Sequence, residues 1–382
     1  MAKEIFGLRV FALSGPILER ALIQFNHPAL LRKLVAYRQR NDYQPEDIVN
    51  DKPLVPPGGS VHDYYSQAPY WFPDPARPDG LPYINRDGEI NPESNLPNCD
   101  KNKKDRMFRR IYIEATLFWF TREEQYAKKA AQLLHVWFLD PATRMNPNVN
   151  YGQAIPGICS GRDAGIIEFH FLIQILDAVD MIAHSTFWSR EDHRKMQQWM
   201  TEFLVWMRSS KIGHDEEAAA NNHGTWFAAL AMKIASFCGK EELVVEYVQA
   251  LRLRLSHQIL PDGSMPTELR RTQAWSYSIF CLSAWLAASV TAAAHGLELY
   301  GYRDARGVSI STAIDYLCRF AIGREPWPYP ELYRFAPELL SPVLRIAAFL
   351  GREYRYANFL KQIPATEDYA AELFFGDVGG ER

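Results

Sequence analysis

With 382 residues, 47% of them hydrophobic and 13% aromatic, the chain can bury a large core as one big domain or two ordinary ones. A net charge of -3 without a basic block argues against nucleic-acid binding. A polyanionic ligand stays open, since a few local Arg and His residues can serve one. Cys99, Cys159, Cys238, Cys281 and Cys318 lack C-x-x-C spacing and are odd in number, so no zinc finger or disulfide framework is readable.

Met1 to Arg9 lacks a basic region followed by a clean apolar run. The expectation is an intracellular protein, or one whose leader is absent from this chain. Residues 16–40 read as a helix, with Leu18, Ala21, Leu22 and Phe25 at helical spacing. Residues 41–104 are rich in Pro, Gly, Asn and Asp and show no helical period. They also carry Tyr64, Tyr65, Tyr70, Trp71, Phe72 and Tyr83, more aromatics than disorder keeps. An ordered flap is expected, with some rings stacking on sugar faces and others anchoring the loop.

From Asp105 onward the chain reads as helix after helix: 105–120, 122–139, 162–184, 189–210, 219–238, 240–258, 273–299, 306–322 and 337–350. Breakers mark the joints, among them Asp140-Pro141, Pro156-Gly157, Ser189 as an N-cap, Gly239 and Pro261-Asp262-Gly263. Many helices with short turns imply antiparallel neighbours in a large all-α domain. The run Thr272 to Leu297 contains no Asp, Glu, Lys or Arg. It is long enough for a membrane but rich in Ala and Ser, so a helix buried all round is expected.

Two stretches concentrate chemistry. One is Ala220-Asn221-Asn222-His223-Gly224-Thr225-Trp226, at the start of an apolar helical run. The other is Glu268-Leu269-Arg270-Arg271-Thr272-Gln273-Ala274-Trp275-Ser276-Tyr277. Read alone, the first is a capped helix with a core histidine or a site, in even balance, and Tyr277 is a core tyrosine.

Together with Tyr64-Tyr65-Ser66-Gln67-Ala68-Pro69-Tyr70-Trp71-Phe72-Pro73-Asp74, these stretches resemble the alginate lyase superfamily of polysaccharide lyases. That family carries a Tyr-Tyr-Ser-x-x-Pro-Tyr-Trp-x-Pro-Asp run, an Asn-Asn-His and an Arg shortly before a Tyr, in this order. Within it the chain looks closer to polysaccharide lyase family 38, the mannuronan and glucuronan lyases, because Gly224-Thr225-Trp226 follows the His. The resemblance covers roughly residues 50–350. It implies a single incomplete (α/α) toroid over residues 1–382, with a cleft and the 41–104 flap. It also implies β-elimination on an acidic polysaccharide. No metal motif stands out in the residues, and no cofactor or metal is expected. Such a substrate suggests an extracellular or periplasmic setting.

Eliminating across C4–C5 of a uronate requires a neutralised carboxylate, a base for the C5 proton and an acid for the departing O4. Asn222 and His223 can donate to one carboxylate. Arg271 adds fixed positive charge, which also favours an ionised phenol nearby. Tyr277 is the expected base, although a free tyrosine titrates near ~10. In one continuous helix, six positions would turn Arg271 about 240° away from Tyr277. Arg271 is therefore expected in a turn before the helix, folding back. Tyr64, Tyr65, Tyr70, Trp71 and Trp226 are candidates for sugar contact. Gln153 and Arg162 could bind a neighbouring carboxylate, or Arg162 could pair with Glu168 or Asp163 instead. Competing readings are a glycoside hydrolase using Asp215, Glu216 and Glu268, a zinc site at His214, Glu217 and His223, and a binding protein without catalysis.

Overall fold

The computed structural model describes residues 10–24, 28–40, 47–364 and 369–376. The first nine residues, on which the leader expectation rests, and residues 41–46 of the expected flap lie outside the described residues. By its internal contacts the chain divides into two compact units: Met1–Leu34 with Ala219–Arg382, and Val35–Ala218.

In the unit that holds Ala219–Arg382, the helix Asn222–Phe237 packs on Glu241–Gln258 and on Ala274–Ala294. Ser341–Gly351 packs on Ala274–Ala294 and on Tyr354–Leu360 and Tyr369–Phe375. The all-round burial expected of the long apolar run is realised, since 83% of the most apolar window of Ala274–Ala294 is buried. That helix is long and apolar enough to cross a membrane, and the surrounding helices account for its composition. Four of its hydroxyls are satisfied within the helix. Ser278, Ser283 and Ser289 donate to carbonyls four residues back at 2.8, 2.9 and 2.8 Å, and Thr291 at 3.1 Å. Trp275 and Trp285 are buried along it, each contributing about 1.5–3 kcal/mol by leaving water.

The first turn of this helix receives its cap from far along the chain. Gln273 supplies no side-chain cap. Instead the Trp275 amide donates to Glu331 Oε1 at 2.5 Å, and an isolated β-bridge joins Gln273 to Glu331. A carboxylate suits a helix N-terminus, where amides and dipole are both positive. Trp275 and Trp327 meet edge to face at 5.1 Å, and Trp275 also meets Phe335 at 4.7 Å. This aromatic segment holds the start of the Tyr277 helix.

In the unit Val35–Ala218, Lys101–Thr121 packs on Glu124–Leu134 and Leu172–Ile182. Ser189 caps Arg190–Ser209 through a capping box with Asp192, as its position predicted. Four short strands among the described residues were not anticipated. Tyr65–Gln67 pairs in parallel with Tyr151–Ala154, and Trp71–Phe72 pairs antiparallel with Ile84–Asn85. Strands this short carry no readable period. The residues of 41–104 that are described form an ordered segment. Lys52 Nζ, fully buried, reaches the fully buried Asp100 Oδ2 at 2.5 Å. Asp100 also accepts the Tyr65 amide at 2.9 Å, and Asp63 accepts from Asn146 Nδ2 at 2.8 Å.

Several helix boundaries differ from expectation. Of the expected 16–40 helix, Gly15–Gln24 and Pro28–Arg40 are helical, with Pro28 suited to a first position, and residues 25–27, including Phe25, lie outside the described residues. The 122–139 helix ends at Leu134 and continues as a π-turn, His135–Leu139. The 162–184 helix is a 3₁₀ turn, Asp163–Phe169, followed by Leu172–Ile182.

Candidate active site

The Asn-Asn-His run begins a helix, and its three polar residues have three different jobs. Asn221 is the N-cap, with extended backbone and a side-chain oxygen that accepts the His223 amide at 3.1 Å. Asn222 is completely buried. Its amide N–H donates to Glu268 Oε1 at 2.7 Å, and its Nδ2 donates to Glu268 Oε2 at 2.7 Å. His223 is half-buried. Gly224 follows because the site is tight. A Cβ there would lie 2.3 Å from the Ala219 carbonyl oxygen and 2.4 Å from the Arg254 guanidinium. Arg254 itself donates to that carbonyl at 2.6 Å.

The helix is locked to its neighbours by one amide. Gln258 Oε1 accepts from Thr225 Oγ1 at 3.0 Å and from Trp285 Nε1 at 2.8 Å. Three helices thus meet at a buried, hydrogen-bonded glutamine, which fixes the Asn222 helix against the Tyr277 helix.

The second motif enters through the Pro261-Asp262-Gly263 turn and the helical turn Pro266–Leu269. That turn points Glu268 inward, fully buried, and leaves Arg270 exposed. Arg271 falls in the bend before Ala274–Ala294 and folds back, with its guanidinium carbon 3.7 Å from the centroid of the Tyr277 ring. This is the expected turn geometry. Tyr277 is 7% exposed. Burial pushes the Glu268 carboxyl up from its ordinary range, opposed by the Asn222 hydrogen bonds and by the charges of Arg271 and His223. Asn222, His223 and Arg271 are therefore gathered around one buried carboxylate, with Tyr277 against Arg271. Sequence reasoning had placed Glu268 only in the hydrolase alternative. Both its oxygens are engaged by Asn222, which leaves it poorly suited as a free acid or base.

Trp226 is 1% exposed and lies against Phe280 at 5.0 Å between ring centres. The expectation that it contacts sugar gives way to packing, because its helical position turns it into the core. Tyr64 is corrected in the same way. It is fully buried, meets Phe169 edge to face at 4.8 Å, and donates to Glu168 Oε2 at 2.8 Å. Tyr65, Tyr70 and Trp71 are half-buried. Gln153 and Arg162 do meet: Arg162 Nη2 donates to Gln153 Oε1 at 2.6 Å. Gln153 holds a left-handed backbone, φ 51°, the sort of strain that gathers at working sites. Glu168 instead accepts from Tyr64 and from Ser66 Oγ, the latter at 2.6 Å.

The sequence model of the alginate lyase family matches residues 47–327. Comparison with curated proteins returns no match. Among solved structures, an alginate lyase from Bacteroides ovatus superposes with a TM-score of 0.89 at 31% identity, covering 95% of this chain and 98% of that one. Alginate lyase A1-III from Sphingomonas species A1 matches at a TM-score of 0.58 and 14% identity, over 94% of this chain and 99% of that one. An A1-III variant complexed with a tetrasaccharide matches at 0.61 and 15%, over 95% and 96%. At these identities the A1-III likenesses speak for the fold alone, the all-α class expected of an (α/α) toroid. A match over most of the chain and a close relative of nearly equal length agree: the chain belongs to the alginate lyase family and is a polysaccharide lyase.

Proposed function

We propose that this lyase cleaves a 1,4-linked polyuronate of the mannuronate or glucuronate type, with Tyr277 as both base and acid. The observation that carries the assignment is the Arg271 guanidinium lying 3.7 Å from the Tyr277 ring centre. A cation held there favours phenolate over phenol. The solved relatives named as alginate lyases, one of them a variant complexed with a tetrasaccharide, support a polyuronate substrate.

The steps balance without water. The substrate carboxylate is held by Asn222 and His223, which draws charge away from C5. The Tyr277 phenolate takes the C5 proton. The C4–O4 bond breaks as the C4=C5 double bond forms, and the same phenol returns its proton to the departing O4. In mannuronate and glucuronate chains the C5 proton and O4 share a face, so one residue can do both. In guluronate they lie on opposite faces and a second base is needed, for which His223 is the candidate.

Polymannuronate, polyguluronate and glucuronan, followed by ultraviolet absorbance of the new double bond, test the reading. Absorbance should grow on the first or third faster than on the second. Solvent oxygen incorporated at the cleaved bond from heavy-oxygen water, with no absorbance, would mean hydrolysis and end the proposal.

A further inference from the structure

We infer that Glu268 is a positioning residue for the elimination: it sets which face of the Asn222 amide meets the substrate carboxylate. The inference rests on the proposed role of Asn222. Its basis is the two-point contact already described, in which the two carboxylate oxygens take the backbone and side-chain N–H of one residue, each at 2.7 Å.

An asparagine amide presents a carbonyl from one side and an NH₂ from the other, and it turns over by a simple rotation. Asn222 Oδ1 is buried and has no hydrogen-bond partner. Nothing on that oxygen holds the amide one way round, so its orientation rests on Glu268. With Glu268 in place, one proton of Nδ2 is taken and the second remains to donate to an anion. Turned over, the amide would offer a carbonyl to a carboxylate, which repels it.

A buried anion beside an anion-binding site looks self-defeating. The charges of Arg271 and His223 act on Glu268 and offset it. Glu268 also lies three residues before Arg271, on the helical turn Pro266–Leu269. The same side chain therefore ties the start of the Asn222 helix to the segment that delivers Arg271 to Tyr277. This contact joins two motifs some fifty residues apart.

A double-mutant cycle tests the inference. Glu268→Gln keeps the size but meets one Asn222 donor with an N–H. It is compared with Asn222→Ala and with the double variant, measuring kcat, KM and melting temperature on polymannuronate. Glu268→Gln should lower kcat by ~10–10²-fold with a smaller change in KM, as misplacement of a positioned group does. In the Asn222→Ala background the same change should cost almost nothing further, because the two act as one unit. Should Glu268→Gln fail to fold, Glu268→Asp, which keeps the charge but withdraws it by one methylene, carries the same cycle. Losses that multiply in the double variant, or a normal kcat in Glu268→Gln beside a crippled Asn222→Ala, would overturn the positioning role alone. Full activity in Asn222→Ala would overturn both the site reading and this inference.

Discussion

Tyr64 and Tyr277 are both nearly buried, both come from motif stretches, and their surroundings make them opposites. The Tyr64 hydroxyl donates to the Glu168 carboxylate. Burial first, and then the Glu168 charge, holds its phenol far above the ordinary range. It is a permanent donor that ties the flap to its unit. Tyr277 has the Arg271 guanidinium over its ring. The carboxylate beside Tyr64 keeps its phenol protonated, whereas in the proposed mechanism the cation beside Tyr277 favours proton transfer. The flap and the Asn222 region thus differ less in residue types than in the sign of the charge beside each phenol.

The sharpest way to break this comparison is to delete each hydroxyl or ring in turn. Tyr277→Phe should fold with an unchanged melting temperature. General acid–base catalysis supplies ~10²–10⁴-fold per transfer, so turnover should fall by at least that much in a residue serving two transfers. Substantial turnover on polymannuronate or glucuronan would remove Tyr277 from the mechanism.

Tyr64→Ala should do the reverse. Truncating a fully buried aromatic costs about 3–5 kcal/mol, and Glu168 would also lose a donor. Urea denaturation should show that loss, with near-normal kcat in the folded fraction. A stable Tyr64→Ala with impaired substrate use would restore it to the binding surface.

Trp71→Ala probes a half-buried ring of the same flap. The ring is outside the core, so melting should shift little while KM rises by up to ~10-fold, the scale of one stacking contact. A sharp drop in melting temperature with unchanged KM would class Trp71 with Tyr64.

The smallest effect is one of pH. Burial, with Lys104 as the largest nearby charge, lowers the His170 pKa to about 3. A histidine titrates near ~6.5 when unfolded. The unfolded chain therefore binds a proton that the folded one refuses, and stability is lost as pH falls below the unfolded value toward the folded one. Denaturation at pH 7 and pH 5 should show a smaller decline for His170→Gln than for the unmodified chain. Equal declines would mean that His170 is not held neutral.

The candidate site residues stood out through the family resemblance of their motifs, while the local geometry of those motifs was legible in the residues themselves. Asn before an apolar run announces a helix start, and six positions between Arg271 and Tyr277 demand a turn. The long helices and the buried run to Ala294 followed from period and composition alone. The sequence could not grade the aromatics. Tyr64 and Tyr65 are neighbours, yet Tyr64, just before the strand Tyr65–Gln67, is buried against Phe169 and Glu168, while Tyr65 at its start is half-buried. Trp226 looked like a contact residue until its helix turned it onto Phe280. Nor could it see Glu331 capping the Tyr277 helix or Gln258 joining three helices, since those bonds link residues distant along the chain. Glu268 is the clearest case. In sequence it is an acidic residue near an arginine. Only tertiary packing strips its water, delivers two Asn222 donors to its oxygens and sets Arg271 and His223 within reach of its charge. Local propensity and periodicity are written residue by residue, whereas burial and charge environment belong to whatever the fold brings alongside.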